Sequence, residues 1–200
     1  VTSTTCTNGT VALHLALLAL DIGEGDEVIV PSFTYVASVN AIKYVGATPV
    51  FVDCNESSWN VALANIEDVV TSKTKGIMCV HVYGVPCDIV PIVEFAKNNN
   101  IRVIEDCAEA LGSKVCGVHV GSFGDISTFS FFGNKTITTG EGGMVSSCHP
   151  ELIERIAHLK NQAVSSIVPY WHDCLGYNYR MTNIAAAIGL AQLEIVDQIL

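Results

Sequence analysis

Short apolar runs rich in β-branched and aromatic residues recur along the chain. They predict β-strands at residues 28–30, 49–53, 76–83, 101–106, 126–132 and 143–147. Stretches with helical spacing lie before, between and after these runs, and they predict helices at residues 9–20, 34–44, 65–72, 88–98 and 150–160. A last helix is predicted from Thr182, with apolar residues at positions 184, 188, 191, 195 and 199.

Strands and helices alternate over the first half of the chain, and this order predicts an α/β fold. Continuous apolar strands joined by helices are typical of a parallel sheet that is covered on both faces. After Glu105 the strands follow one another without long helices, so the second half departs from a simple doubly wound repeat. We therefore expect a mostly parallel mixed sheet with helices on both faces.

Composition and charge exclude several classes of function. Half of the 200 residues are hydrophobic, 15% are charged, and the formal net charge at pH 7 is −10. No run of lysine and arginine is present, so we expect no nucleic-acid partner. No apolar run is long enough to span a membrane, so we expect no membrane partner either. A bound phosphate would have to be held by backbone amides and a few local donors.

The eight cysteines are expected to be reduced thiols. An even number allows disulfides, but several cysteines, such as Cys79, lie inside predicted strands, and the chain is not a small loop-rich scaffold. No C-x-x-C pair is present, so we expect no metal site. Buried thiols that pack as small hydrophobic groups fit a reducing compartment, and we expect a cytoplasmic protein.

Polar residues that follow strands are candidates for a site, because ligands bind at the carboxyl ends of the strands in an open parallel sheet. The sequence TNGT precedes the first predicted helix, where the amides of Gly9 and Thr10 would suit a phosphate. An ordinary helix cap by a preceding residue explains the same sequence. His81 also ends a strand, either as a polar contact or as a buried, hydrogen-bonded histidine.

Three further residues follow predicted strands and carry side chains with distinct chemistry. Asp106 ends a strand, where a buried acid requires a partner such as a cationic pyridinium; a helix cap or a solvated strand end is the alternative. Tyr35 would lie flat on an aromatic ligand or pack in the core. Lys135 would serve Schiff-base chemistry if its amine is desolvated, or would be an ordinary solvated loop lysine.

Taken together, these residues match the requirements of pyridoxal phosphate (PLP). A phosphate site, a stacking aromatic side chain, an acid at a strand end and a later lysine occur in this order along the chain. The acid would keep the pyridine nitrogen protonated, so that the ring accepts electrons, and the lysine would hold the cofactor covalently. The combination predicts a PLP-dependent enzyme.

Seven segments of the sequence resemble the DegT/StrS family of sugar aminotransferases, which are PLP enzymes of the aspartate-aminotransferase fold. They are TNGTVALHLAL, GDEVIVPSFTYVAS, GATPVFVD, KTKGIMCVHVYGVPCD, VIEDCAEALGS, GSFGDISTFSFFGNKTITTGEGGM and GYNYRMTNIAAAIGLAQLE. The resemblance covers essentially the whole chain and implies a PLP-dependent transferase of fold type I. It also implies that residues 1–200 are the large PLP-binding domain, a fragment without the N-terminal start and the C-terminal small domain.

The resemblance implies roles for four residues around the cofactor ring. Lys135 would bind PLP covalently and later move the proton of the substrate. Asp106 would pair with the pyridine nitrogen. Glu109 would contact the ring hydroxyl, and Tyr35 would stack on the ring.

The resemblance also implies how the phosphate is held. Gly9, Thr10 and Ser130 would bind it within the chain. Asn178, in the motif GYNYR, would reach the phosphate in a neighbouring subunit. Each active site would then be completed across a homodimer.

The reaction implied by the resemblance is transfer of an amino group from L-glutamate to a nucleotide-linked 4-keto-6-deoxysugar. The stretches TFSFFGNKTITTGEGGM and GYNYRMTNIAAAIGLAQLE are especially similar to family members that aminate C4 of GDP-4-keto-6-deoxymannose. Related enzymes that act on UDP- and dTDP-sugars share most of these motifs, so both the nucleotide and the sugar stay open.

Three other classes of protein share parts of this pattern. A PLP-dependent sugar dehydratase on the same scaffold carries histidine at the lysine position, so Lys135 argues against it. A non-catalytic sensor or dimer module would not require Lys135, Asp106 and Gly9 together. A nucleotide-binding oxidoreductase would require a G-x-G-x-x-G motif after the first strand, and none is present.

Overall fold

A computed structural model describes residues 1–200, and a seven-stranded sheet forms the centre of the fold. The strands, in chain order, are β1 (Thr2–Cys6), β2 (Glu27–Pro31), β3 (Thr48–Val52), β4 (Thr74–Val80), β5 (Arg102–Asp106), β6 (Lys114–Val115), β7 (Val118–His119), β8 (Ile126–Ser130) and β9 (Gly143–Ser147). The two short strands β6 and β7 pair only with each other, and the other seven form the main sheet.

Helices connect and cover the strands. They are α1 (Gly9–Ala19), α2 (Val36–Tyr44), α3 (Leu63–Glu67), α4 (Ile89–Asn98), α5 (Pro150–Leu159), α6 (Asn183–Glu194) and α7 (Val196–Ile199), with a 3-10 turn at Val82–Gly84. None of them is both long and apolar enough to cross a lipid bilayer.

The strand order of the main sheet is β1-β9-β8-β5-β4-β2-β3. Strands β3, β2, β4, β5 and β8 are parallel to their neighbours in this order, whereas β9 runs antiparallel to both β8 and β1. The predicted mostly parallel mixed sheet is therefore confirmed. Because β4, β5 and β8 are adjacent and parallel, the residues that end them lie along one edge of the sheet.

The two faces of the sheet carry separate hydrophobic cores. One core packs β-strand residues against α1, α2 and α5, and the other packs them against α3 and α4. Along β4, Met78 belongs to the first core and Ile77 to the second, as the alternation of side chains along a strand requires. Both faces are thus covered by helices, as the sequence pattern predicted.

Several element bounds differ from the predictions. The strand predicted over residues 76–83 ends at Val80, because His81 begins a turn in which Tyr83 adopts a left-handed φ of 51°. The strand predicted over residues 126–132 ends at Ser130, and Lys135 N–H then donates to the Phe132 carbonyl in a turn. The helix predicted at 65–72 is observed at Leu63–Glu67, and strand β1 was not predicted.

The last predicted helix differs in continuity. It breaks at Ile195 into α6 and α7. Its apolar positions are not covered, since α6 has no buried residue and Ile184 is 78% exposed.

All eight cysteines are free thiols. Four are buried, namely Cys6, Cys79, Cys87 and Cys107, and Cys54 is partly buried. The other three, Cys116, Cys148 and Cys174, are exposed, so the prediction of buried thiols is wrong for these three positions.

Candidate active site

A cavity of about 370 Å³ opens at the carboxyl ends of β5 and β8, beside the first turn of α1. This volume lies within the range of small-molecule sites in proteins. Seven of the eight predicted site residues line it: Gly9, Thr10, Tyr35, Asp106, Glu109, Ser130 and Lys135. Asn178, the eighth, does not line the cavity. Residues far apart in the sequence are thus brought to one place by the order of the strands.

At one end of the cavity, α1 begins directly beside the end of β8. A Cβ atom at Gly9 would lie 2.7 Å from Cβ and 3.0 Å from Oγ of Ser130, so only glycine allows this approach. Asn8 caps the helix, since its Oδ1 accepts the Val11 N–H at 3.0 Å. The cap leaves other first-turn N–H groups without helical partners, and these groups suit an anion. Helix capping and phosphate binding are therefore compatible here.

We predict that Gly9→Ala destabilises the fold and widens this end of the cavity. The added methyl group would overlap Ser130, which costs about 1–3 kcal/mol when a packed site must expand. Urea denaturation of the variant against the wild type would measure the change. Gly133→Ala is the matched control, because a Cβ at Gly133 meets nothing within 4 Å. Equal stability of the two variants would contradict the prediction.

The carboxyl group of Asp106 lies on the floor of the cavity and is only 5% exposed. Its Oδ2 accepts the Ser38 hydroxyl at 2.9 Å, and its Oδ1 accepts the Ala108 N–H at 3.1 Å. Burial raises the pKa of Asp106, although these two hydrogen bonds and the nearby lysine charge oppose the rise. The carboxylate therefore has no cation in direct contact, and a cation bound in the cavity would stabilise it.

Lys135 enters the cavity from the loop after β8 and lies close to one acid. Its Nζ is 3.8 Å from Oε1 of Glu109, and the two side chains are 21% and 33% exposed. The other carboxylate oxygen of Glu109 accepts the Tyr83 N–H at 2.8 Å. Tyr83 lies in the turn after β4 and holds a left-handed φ that non-glycine residues seldom adopt. The turn after β4 thus fixes the acid beside the lysine.

Tyr35 lines the cavity, whereas Asn178 does not. Tyr35 is 76% exposed at the N-cap of α2 and lines the cavity, so its ring does not pack in the core. Asn178 is exposed, forms a β-bridge with Asn161, and its Oδ1 accepts a hydrogen bond from Arg180 at 3.4 Å. The structure therefore brings Tyr35 to the candidate site and leaves Asn178 outside it.

Beneath the cavity lies a buried hydrogen-bond network around Glu105. Its carboxylate accepts three backbone N–H groups, from Gly121 at 2.8 Å, Phe123 at 2.9 Å and Gly124 at 2.7 Å. Its fourth partner is Nε2 of His81 at 3.1 Å, and both side chains are fully buried. Burial raises the pKa of Glu105, but the hydrogen bonds outweigh burial and lower it.

The second ring nitrogen of His81 fixes its tautomer. Nδ1 accepts the Cys87 N–H at 3.0 Å, so Nε2 carries the proton that is donated to Glu105. A protonated ring would set a second N–H against that of Cys87, so the ring is neutral and its contact with Glu105 is a hydrogen bond. Cys107 lies within 4.8 Å of the same groups, but the four hydrogen bonds on Glu105 make the cluster a structural network. His81 is thus the buried, hydrogen-bonded histidine that sequence reasoning allowed.

Two hydroxyl residues next to Asp106 in the cavity were missed from the sequence. Ser38 lies 68 residues before Asp106 and donates to it, and Thr128 lines the cavity beside Asp106. A serine in an apolar helix and a threonine in an apolar strand carry no local motif. Only the parallel pairing of β5 and β8 reveals that Asp106 and Thr128 are neighbours.

The sheet order and the cavity at the strand ends define an α/β protein with the fold of PLP-dependent transferases of fold type I. More narrowly, the chain belongs to the DegT/DnrJ/EryC1/StrS aminotransferase family, whose model matches residues 2–200.

Individual relatives agree with this assignment. The chain is 66% identical over 195 residues to the GDP-perosamine synthase of Escherichia coli O157:H7. The aligned region covers 98% of this chain and 54% of that protein. An aminotransferase structure from Psychrobacter cryohalolentis superposes with a TM-score of 0.94 at 42% identity, covering 98% of this chain and 52% of that one.

A second structure, NtdA from Bacillus subtilis with the bound cofactor PMP, gives a TM-score of 0.90 at 30% identity. It covers 98% of this chain and 45% of that one. The chain spans about half the length of the curated relatives it matches.

Proposed function

We propose that the chain is the cofactor-binding part of a PLP-dependent aminotransferase that acts on a nucleotide-linked 4-keto-6-deoxysugar. The observation that carries the proposal is the meeting of Lys135, Asp106 and the first turn of α1 in one cavity. Because the 66% identical relative is a GDP-perosamine synthase, GDP-4-keto-6-deoxymannose is the proposed acceptor. Residues 1–200 would form the large domain, and the smaller domain would come from another part of the protein.

The residues present fit PLP on three independent grounds. The Asp106 carboxyl is buried without a cationic partner in direct contact, and a protonated pyridine nitrogen would supply one. The close approach of Gly9 to Ser130 leaves first-turn amides and a hydroxyl for a phosphate. Lys135 lines the same cavity with its amine close to Glu109.

When bound, PLP would supply a reactive carbonyl carbon and a ring that withdraws electrons. Lys135 would attach to the cofactor through Nζ and, once displaced by the amino donor, would move a proton at the substrate carbon. Asp106 would hold the proton on the ring nitrogen. Glu109 would face the ring hydroxyl, and Tyr35 would cover the ring and exclude water.

The remaining partners are part of the same proposal. L-Glutamate would be the amino donor. A homodimer would bring Asn178 of each subunit to the phosphate in the other, which agrees with the exposed position of Asn178 outside its own cavity. We propose that the protein works in the cytoplasm.

An isotope experiment tests the function directly. The full-length protein, loaded with PLP, would be incubated with ¹⁵N-labelled L-glutamate and a panel of nucleotide-linked 4-keto-6-deoxysugars, and the products would be analysed by mass spectrometry. We expect ¹⁵N in the sugar, with GDP-4-keto-6-deoxymannose the best acceptor. A sugar that loses a hydroxyl group and gains no nitrogen would indicate a dehydratase. A cofactor spectrum that responds to no amino donor would indicate a sensor, and either result would refute the proposal.

A further inference from the structure

Thr128 has a buried hydroxyl group without a hydrogen-bond partner. Its Oγ1 is the one buried side-chain oxygen or nitrogen atom in residues 1–200 that lacks a partner, and the residue is only 1% exposed. A buried hydroxyl without a partner is destabilising, because it has lost its hydrogen bonds to water. Such groups are uncommon in native structures and call for an explanation.

The position of Thr128 points to a ligand as the missing partner. Thr128 lines the cavity and is paired in register with Asp106 across β5 and β8. Side chains alternate along a strand, so Thr128 shares a face with Ser130, two residues further on. The residue therefore lies between the buried acid and the end of the cavity where Ser130 meets Gly9.

The main chain of Thr128 is fixed, but its side chain can turn. The Thr128 carbonyl accepts the Cys107 N–H at 2.9 Å, and the strand pairs with neighbours on both sides. A rotation of about 120° about the Cα–Cβ bond moves the hydroxyl group to another staggered position. An acceptor that enters the cavity can thus bring the hydroxyl toward itself without moving the sheet.

We infer that Thr128 is a further cofactor-binding residue, which donates a hydrogen bond to the bound cofactor between Asp106 and Ser130. This inference rests on the proposed function, since it assumes a cofactor with a ring nitrogen at one end and a phosphate at the other. It explains why a hydroxyl is present at a position where an apolar side chain would suit the ligand-free fold better.

The inference predicts opposite effects of Thr128→Val on the free and the loaded protein. Valine fills a similar space without a buried unpaired hydroxyl, so the melting temperature of the ligand-free full-length protein should equal or exceed that of the wild type. Thr74→Val is the matched control. Thr74 is also buried, but its hydroxyl accepts the Thr71 N–H at 2.9 Å far from the cavity, so this variant should melt at a lower temperature.

Binding would be measured with pyridoxamine 5′-phosphate, which does not attach covalently to Lys135. We expect Thr128→Val to weaken binding roughly five- to tenfold, the loss of one hydrogen bond. Thr128→Ser, which keeps the hydroxyl, should bind close to the wild-type level. Unchanged affinity of Thr128→Val would overturn the inference alone, as would a lower melting temperature of the ligand-free variant. Failure of the wild type to bind would overturn the proposed function as well.

Discussion

Lys135→Ala is expected to remove covalent attachment of PLP and to abolish turnover, while the fold is retained. The loss of a positioned acid–base group alone lowers a rate by roughly 10²–10⁴-fold, and the loss of the attachment point adds to this. The side chain lies at the cavity wall and makes only one ionic contact, with Glu109 at 3.8 Å. Little packing is therefore lost, and the melting temperature should stay close to that of the wild type.

The attachment can be measured separately from the rate. Borohydride reduction of the PLP-loaded protein, followed by peptide mass spectrometry, should find the cofactor on the peptide that contains Lys135, and no such peptide should appear in Lys135→Ala. Lys114→Ala, in the exposed hairpin strand β6, controls for loss of a surface lysine and should behave as the wild type does. Full multiple-turnover activity of Lys135→Ala would show that another residue is the cofactor lysine.

How far the fold could be predicted depended on burial. The parallel strands in the middle of the sheet are covered on both faces, so their sequences are continuous apolar runs that are easily recognised. Strand β1 reads Thr-Ser-Thr-Thr-Cys because it lies at the edge of the sheet and is mostly exposed, and this composition does not stand out as a strand. α6 shows the converse, because its apolar residues at helical spacing predicted a helix although none of them is buried.

The candidate site could also be predicted only in part. Gly9 begins α1, Asp106 ends β5, and Lys135 lies in the loop after β8, so their position in the sequence indicated their position in space. Ser38 and Thr128 could not be found in this way, because their roles depend on contacts between distant segments. The left-handed turn at Tyr83 was also missed, since no glycine or asparagine marks that position.

Asp106→Asn is expected to separate stability from function most clearly. Asparagine can keep both contacts of the carboxyl group, with Oδ1 accepting the Ala108 N–H and Nδ2 donating to the Ser38 hydroxyl. The variant no longer buries an ionisable group in the ligand-free protein. The free energy of unfolding at neutral pH should therefore be equal to or higher than that of the wild type.

The free energy of unfolding of the ligand-free protein should depend on pH because of Asp106. Because burial raises the pKa of Asp106 in the folded state, the folded protein holds this proton more tightly than the unfolded chain does. Its contribution to stability therefore falls as the pH rises from the unfolded-state pKa through the raised folded-state pKa. Asp106→Asn should remove this fall, and urea denaturation at a series of pH values would show a flatter profile for the variant.

Activity should change in the opposite direction. A neutral amide cannot hold the ring nitrogen in its protonated form, so the ring would withdraw electrons less strongly, and the removal of one preorganised charge lowers a rate by roughly 10²–10³-fold. Steady-state kinetics and the absorbance of the loaded variant would measure the loss. A variant that is less stable than the wild type at neutral pH but fully active would show that Asp106 serves the fold. In that case, Asp106 at the end of β5 would not be the partner of the cofactor's ring nitrogen.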